Sequence, residues 1–501
     1  MKSESMGERS FVPRESWLLA LATLGALGVR LFHLDYRGMW TDEFHTLNAT
    51  LLPWKDLITE RLRAGHLPTY FLFMKVWTQL FGTSDWALRL PSALAGALIV
   101  PATYYFARPW FASRFVWVLV AVATVNATGV WASQEARMYS MLLVAATFAH
   151  GAFLRAVARD EQRAWITYWI SAFIATALQP VMILTVVAHG LFLTVCHGRR
   201  AWPLLRKWLA VLIVVVPLLI AVALLQQKRS VEFDPREWLS ETGRTIGIFV
   251  KRLGLVAFGV SADTGRWRAL TSLILFLCLG LAYLRWRKHK RSDPAFKDSP
   301  EALAVKFSTI AVAFPVLALF MGSFFLEHIA GNERYLIPIC VPLWTLAIWG
   351  CFEVPTSRWR DVVVAAAVIM LAVGLIRHWR DRGLGGREIV HYVNSCALPS
   401  DVIVCRATPT MRLMIEHYSQ RPLQVCTVPE PSRTRDVDDD TAYQTLLSCL
   451  GPHTQFWLIE YRGKGSFLRN MIARRPKELE VVREKTIEQA RAALIRRRSL
   501  Q

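Results

Sequence analysis

Long apolar runs separated by short polar segments fill the first 380 residues of the chain. Most runs have roughly 17 to 25 residues, enough for an α-helix to cross about 30 Å of hydrocarbon. The pattern predicts eleven spans, at 16–34, 86–107, 115–131, 138–154, 164–178, 181–196, 208–225, 269–284, 302–326, 335–352 and 361–377. We therefore expect a polytopic α-helical membrane protein.

Composition agrees with a membrane protein, because 53% of the 501 residues are hydrophobic. The net charge of +21 would suit a nucleic-acid partner, but many Lys and Arg residues lie in short loops between apolar runs. That distribution indicates membrane topology, so no nucleic-acid partner is expected. The first apolar run is long and lacks a small-residue cleavage site, which favours an uncleaved first helix over a signal peptide.

The basic loops predict the orientation of the chain. They all fall on one side of the predicted spans, at 108–114, 155–163, 197–207, 285–291 and 356–360. By the positive-inside rule this side is cytoplasmic, together with the N-terminus. The opposite side then holds 35–85, 133–137, 226–268, 327–334 and the C-terminal tail.

Loop 226–268 is itself basic, which contradicts the rule unless its charges have anionic partners. Within the first outer loop, residues 67–81 are apolar enough for an interfacial helix.

The hydrophobic pattern changes after residue 377. Strand-length apolar runs at 401–407, 423–428 and 455–461 alternate with helical patterns at 387–396, 410–418 and 441–450. Such alternation predicts an α/β fold with a mainly parallel sheet. We therefore divide the chain into a transmembrane domain, 1–377, and an extracytoplasmic α/β domain, 378–501.

Four of the eight cysteines lie in this predicted tail domain: Cys396, Cys405, Cys426 and Cys449. An even set in an exported domain predicts up to two disulfides. Three pairings are open, and the sequence does not choose among them. Four buried free thiols are the alternative.

Acidic residues at the predicted outer face are the first candidates for chemistry. Asp42 and Glu43 are adjacent in an aromatic-rich stretch, 35–48, that follows the first span directly, and Glu135 precedes the fourth span. Carboxylates at a membrane edge belong either to a solvated loop or to a site. Asp42 fits a general base that takes a proton from a hydroxyl or amine, with Glu43 or Glu135 orienting it.

Basic and aromatic residues on the same predicted face complete the candidate site. Arg137 with Tyr139, Arg334 with Tyr335, and the loop residues Lys228 and Arg229 fit the binding of a substrate phosphate. For any one segment, an ion pair at a helix end is the structural alternative. Several such segments on one face predict a convergent site for transfer from an activated anionic lipid.

The motifs in these segments resemble the GT-C glycosyltransferases of family 39, and are similar to the protein O-mannosyltransferase and lipid A aminoarabinose transferase branch. The resemblance covers roughly 16–350 and rests on MWTDEFHTLNA (39–49), the stretch 66–98, EARMYSMLL (135–143) and RYLIPICVPL (334–343). It implies an inverting transferase that uses a polyprenyl-phosphate-linked sugar at the extracytoplasmic face. The tail resembles, more loosely, the extracytoplasmic domain of some bacterial members.

The resemblance also implies residue roles. The acidic first-loop motif of the family falls on Asp42, its expected base, and the second-loop acid and arginine fall on Glu135 and Arg137. Its Arg-Tyr pair falls on Arg334 and Tyr335. The usual His-Pro-Pro-Leu is replaced here by the sequence HLPT, which begins at His66. We keep His66 as a substrate-binding residue, with an interfacial histidine as the alternative.

Several questions stay open at this stage. Oxygen and nitrogen ligands for a divalent cation could come from Asp42, Glu43, His45 and His66, but no spacing requires a metal, and none is predicted.

A transporter or flippase of a lipid-linked or anionic solute is the alternative function, although its charges should lie near the middle of the membrane. A non-catalytic scaffold is a further alternative. The expected partners are a polyprenyl-phosphate-linked sugar, membrane lipid and an acceptor of unknown kind. The expected location is a bacterial inner membrane.

Overall fold

The computed structural model describes residues 13–226, 247, 250–259, 265–323, 333–352, 358–429, 439–461 and 466–498. The chain divides into two compact units. The helical unit comprises Met1–Leu34, Trp54–Phe73 and Arg89–Arg380, and the tail unit comprises Asp35–Pro53, Met74–Leu88 and Asp381–Gln501. Two pieces of the first predicted outer loop are thus grouped with the tail. The predicted division at residue 377 stays a prediction.

Helices make up most of the chain before residue 381. Their bounds are Pro13–Leu31, Thr41–Leu51, Trp54–Arg63, Thr69–Phe81, Asp85–Ala97, Ile99–Ala107, Ser113–Val125, Ala127–Ser133, Tyr139–Arg159, Gln162–Leu178, Met182–His197, Trp202–Leu225, Gly265–Ser292, Pro300–Gly322, Cys340–Cys351 and Arg358–Arg380. Short 3-10 helices lie at Gly198–Ala201, Pro294–Asp298 and Glu333–Ile339.

A helix lies at each of the eleven predicted spans. Among the described residues, however, seven helices are long and apolar enough to cross a membrane, or eight if the bent pair Ser113–Val125 and Ala127–Ser133 forms one span. Gln162–Leu178 and Met182–His197 have only 17 and 16 residues, fewer than the roughly 20 that a span usually needs. The helical, multi-span architecture is therefore confirmed, whereas the count of eleven is not.

The tail unit contains a five-stranded sheet. Its strands are β1 (Val402–Arg406), β2 (Gln424–Val428), β3 (Gln455–Tyr461), β4 (Leu479–Ile487) and β5 (Ala490–Arg497), in the order β2-β1-β3-β5-β4. β1 pairs in parallel with β2 and β3, while β5 runs antiparallel to both β3 and β4. The helices of this region are Gly386–Cys396, Pro409–Tyr418, Asp439–Leu450 and Ser466–Ala473.

The last two strands were missed by sequence analysis. β4 is an edge strand, and six consecutive residues in its middle are exposed. Charged residues tolerate that exposure and protect an edge from unwanted pairing. Without a buried face, β4 has no alternation of apolar and polar residues by which a strand is recognised.

One disulfide joins Cys426 in β2 to Cys449 in the helix Asp439–Leu450. Cys405 is a buried free thiol, and Cys396 is a half-buried one. The sequence allowed up to two disulfides, and the structure selects one of the open pairings. Cys426 belongs to the buried apolar core of the tail unit, and the partly buried Cys449 packs against that core.

Candidate functional site

The acidic pair Asp42 and Glu43 lies in the first turn of the helix Thr41–Leu51. Negative charge is favoured there by the helix dipole and by the unsatisfied backbone N–H groups. Glu43 is fully buried, and its carboxylate accepts a hydrogen bond from the backbone N–H of Trp40 at 3.3 Å. Asp42 is half-buried. Glu43 therefore stabilises the start of the helix, and Asp42 is the more accessible carboxylate of the pair.

The opposite end of this helix is held by Lys75, which the sequence had placed in an interfacial segment. The Lys75 ammonium donates to the carbonyl oxygens of Thr50 at 2.8 Å and Leu52 at 2.6 Å. A cation at a helix C-terminus satisfies carbonyls that lack partners within the helix and complements the dipole. Contacts at both ends therefore fix the helix that carries Asp42.

The second predicted segment follows the bent helix pair, whose two parts meet at 50°. The bend lies at Asn126, whose side chain accepts from the backbone N–H groups of Thr128 and Gly129 and donates to the carbonyl of Ala257 at 2.7 Å. Because of this N-cap, the helix Ser113–Val125 does not continue, and a new helix begins at Ala127. The short second helix, Ala127–Ser133, ends just before Glu135 and Arg137.

A buried polar network holds the segment before Glu135. Arg30 donates to Ser133 Oγ at 3.1 Å and to the carbonyl of Thr124 at 3.1 Å. Gln134 Nε2 donates to the carbonyl of Arg30 at 2.8 Å, and His378 Nε2 donates to Gln134 Oε1 at 2.6 Å. Arg30 was not among the residues predicted from the sequence, although a lone arginine within an apolar run marks a functional or structural site.

Glu135 and Arg137 are both buried, with side chains 1% and 3% exposed. The backbone N–H of Arg137 donates to the carbonyl of Glu135 at 2.7 Å, and Ser92 Oγ donates to the carbonyl of Arg137 at 3.0 Å. Ser140 Oγ in turn donates to the carbonyl of Ser92 at 2.8 Å. The helix Asp85–Ala97 thus fixes the position from which the Arg137 side chain extends.

Two arginines converge on one aromatic ring. The guanidinium carbons of Arg137 and Arg334 each lie 5.7 Å from the ring centroid of Tyr139, and Arg137 lies 5.6 Å from that of Phe71. Tyr139 itself stacks on Trp131 with the planes 16° apart. Aromatic faces hold guanidinium groups by cation–π attraction and restrict their orientation. We call Arg137, Arg334 and Tyr139 the arginine cluster; its two positive charges suit an anionic group such as a phosphate.

The remaining predicted residues lie at different places. In the helical unit, His66 is half-buried with its ring 6.0 Å from that of Phe71, and Tyr335 is half-buried beside Arg334. Glu135, Arg137, Tyr139 and Arg334 belong to the same unit, whereas Asp42 and Glu43 belong to the tail unit. Lys228 and Arg229 lie outside the described residues.

An ion pair links the predicted loop 226–268 to the segment that carries Arg334. Arg252 forms an ion pair with Glu333 at 2.5 Å, next to Arg334 in the chain. At least one basic residue of that loop therefore has the anionic partner that the predicted orientation requires. Across the described ranges, no group of three or more His, Cys, Asp and Glu side chains could hold a metal ion.

A chain of hydrogen bonds supports the 3-10 helix Glu333–Ile339, which carries Arg334. His150 Nε2 lies 2.9 Å from the carbonyl oxygen of Pro338 and must donate to it. His150 Nδ1 therefore accepts from His189 Nε2 at 3.0 Å, and His189 Nδ1 accepts from the Tyr168 hydroxyl at 3.2 Å. With this order of donors and acceptors, both imidazoles are neutral and each ring nitrogen has a hydrogen-bond partner. The chain was not foreseen from the sequence.

Comparison with known proteins adds independent observations. Residues 65–225 match the family model described as dolichyl-phosphate-mannose-protein mannosyltransferase. The crystal structure of ArnT from Cupriavidus metallidurans bound to undecaprenyl phosphate is similar with a TM-score of 0.56 at 13% identity, over 96% of this chain and 98% of that one. The apo structure of ArnT gives a TM-score of 0.54 at 12% identity with the same coverage. The curated proteins give no match. The resemblance found in the sequence is thereby confirmed: the chain shares the fold of ArnT and matches the mannosyltransferase family model over residues 65–225.

Proposed function

We propose that this protein is a membrane glycosyltransferase that moves a sugar from a polyprenyl-phosphate-linked donor to an acceptor at the extracytoplasmic face, with inversion. The observation that carries the proposal is the convergence of Arg137 and Arg334 on Tyr139. Two of these residues lie within the stretch that matches the mannosyltransferase model, and the ArnT structure with the same fold was solved with undecaprenyl phosphate bound.

The proposed reaction needs a base and an anion-binding group. The acceptor oxygen or nitrogen attacks the anomeric carbon, the bond from that carbon to the phosphate oxygen breaks, and Asp42 takes the acceptor proton. Arg137 and Arg334 stabilise the negative charge on the departing polyprenyl phosphate. General-base catalysis contributes typically 10² to 10⁴-fold, so the loss of Asp42 alone should give a large fall in rate. Glu135, His66, Tyr335, Lys228 and Arg229 are proposed to shape the substrate site.

The topology proposed with this function keeps the eleven spans, with a cytoplasmic N-terminus and an outward tail. The disulfide between Cys426 and Cys449 supports an outward tail, because disulfides persist in oxidising compartments and are rare in reducing ones. A bacterial inner membrane fits this arrangement. No metal is required, and transfer is expected to continue in the presence of EDTA.

The test uses purified full-length protein, a panel of polyprenyl-phosphate sugars that includes mannose and aminoarabinose, and hydroxyl or amine acceptors. Release of polyprenyl phosphate is measured for the wild type and for Asp42→Asn, which keeps the shape and removes the base. The matched control is Asp56→Asn, the same change at an exposed carboxylate in the neighbouring helix Trp54–Arg63.

The proposal expects Asp42→Asn to lose at least about a hundredfold in rate and Asp56→Asn to equal the wild type. Equal release by wild type and Asp42→Asn would show that the base is another group. If no donor is turned over, while proteoliposomes carry a lipid-linked sugar across the bilayer, the transporter alternative replaces the transferase.

A further inference from the structure

A polar cluster around a buried aspartate in the tail unit has no direct part in the proposed reaction. At its centre is Asp85, 8% exposed, which begins the helix Asp85–Ala97. The Tyr418 hydroxyl donates to Asp85 Oδ2 at 2.8 Å, and His417 Nε2 donates to Asp85 Oδ1 at 2.8 Å. Arg387 Nη1 lies 3.8 Å from Asp85 Oδ2. We call these four residues the Asp85 cluster. Each carboxylate oxygen has a hydrogen-bond donor, so the cluster is rigid.

The Asp85 cluster binds the backbone just before the acidic helix. The Tyr418 hydroxyl accepts the backbone N–H of Met39 at 2.6 Å while it donates to Asp85. Arg387 donates to the carbonyl of Asp35 at 2.8 Å and also to the carbonyl of Tyr36. Side chains from two tail helices, Gly386–Cys396 and Pro409–Tyr418, thus hold residues 35–39 by their backbone.

Close packing reinforces these hydrogen bonds. A Cβ atom added at Gly38 would lie 2.9 Å from Arg387 Cβ, so the glycine permits the approach of the two chains. On the other side of Asp42, the buried ring of Phe44 meets the rings of His417 and Tyr418 edge-on, with centroids 5.9 Å apart in each case. Asp42 is therefore flanked by two fixed residues, Met39 and Phe44, both held by Tyr418.

We propose that the Asp85 cluster is a positioning device for Asp42, so that the tail takes part in catalysis by setting the place and direction of the base. The inference rests on the proposed function of Asp42. A general base works only within hydrogen-bond reach of its proton, and a displacement of about 1 Å can cost a hundredfold in rate. The arginines proposed to bind the donor lie in the other unit. Loosening the Asp85 cluster should therefore lower kcat and leave donor binding unchanged.

The test variant is Tyr418→Phe, which removes the bonds to Met39 and Asp85 but keeps the ring that packs on Phe44. The control is Tyr392→Phe, the same change on the helix Gly386–Cys396, where the half-buried Tyr392 ring packs against Trp457. We expect Tyr418→Phe to lower kcat about ten- to a hundredfold at unchanged donor KM, and to lower the thermal midpoint because Met39 and Asp85 each lose a buried hydrogen bond. Tyr392→Phe should match the wild type.

A second measurement separates positioning from a general structural effect. If Tyr418 acts through Asp42, Tyr418→Phe should lower kcat in the wild type but add no further loss in the Asp42→Asn background. A raised donor KM at unchanged kcat, a full additional loss in that background, or a wild-type kcat in Tyr418→Phe would each overturn the positioning role alone. A wild type that turns over no donor would instead overturn the proposed function, and the positioning role with it.

Discussion

Replacing the two guanidinium groups of the arginine cluster gives the sharpest test of how the donor phosphate is held. The perturbations are Arg137→Gln, Arg334→Gln and the double variant, since glutamine keeps a polar side chain and removes the charge. Arg163→Gln is the control, because Arg163 is exposed on the helix Gln162–Leu178. The assay is the inhibition constant of polyprenyl phosphate in the transfer reaction, together with kcat/KM for the donor.

The expected change in the inhibition constant follows from how deeply each arginine side chain is buried. A hydrogen bond to a charged group contributes about 1.5 to 3 kcal/mol, with the upper end for buried partners. Arg137 is 3% exposed, so its loss should cost about 2.8 kcal/mol, or a hundredfold in the inhibition constant. Arg334 is half-buried, and its loss should cost about 1.5 kcal/mol, or roughly tenfold. Arg163→Gln should leave both constants unchanged.

The double variant tests whether one anion contacts both arginines. If they share a phosphate near Tyr139, the effects should be non-additive by at least about 0.5 kcal/mol. If both single variants kept the wild-type inhibition constant, the arginine cluster would not be the phosphate site. Additive losses in binding free energy would show that the two arginines contact separate groups of the substrate.

Three further outcomes are expected for stability. Cys449→Ser should lower the unfolding free energy by about 3 kcal/mol, because its disulfide closes a loop of 23 residues. Thermal unfolding in detergent should show this loss. The control Cys396→Ser, which changes a free thiol, should leave the thermal midpoint unchanged. His189→Leu should cost about 1 to 3 kcal/mol by leaving His150 Nδ1 without its donor, and an unchanged thermal midpoint would contradict a stabilising role of this hydrogen bond. Lys75→Met should cost about 1 kcal/mol through the lost helix cap, measured as faster amide exchange in residues 48–52; unchanged exchange would contradict the capping role.

Part of the candidate site could be predicted from the sequence. Polar residues at the ends of apolar runs marked Arg137, Tyr139 and Arg334, and the structure brings these three together. The reason is that the length of an apolar run fixes which residues reach the same end of neighbouring helices. The catalytic and binding roles of these residues remain predictions. The sequence did not show that Glu43 bonds to the start of its own helix.

The sequence by itself determined the helical membrane architecture, the parallel strands β1 to β3 and the family resemblance, because periodicity, run length and short motifs are local properties. Only the tertiary structure decided which distant groups meet. Asp85 and Tyr418 are 333 positions apart, and neither has a local pattern that points to the other. The same holds for the disulfide pairing and for the bonds of Arg30. A side-chain contact between segments depends on how the chain packs, and the polar groups that packing buries must then find partners wherever the fold places them.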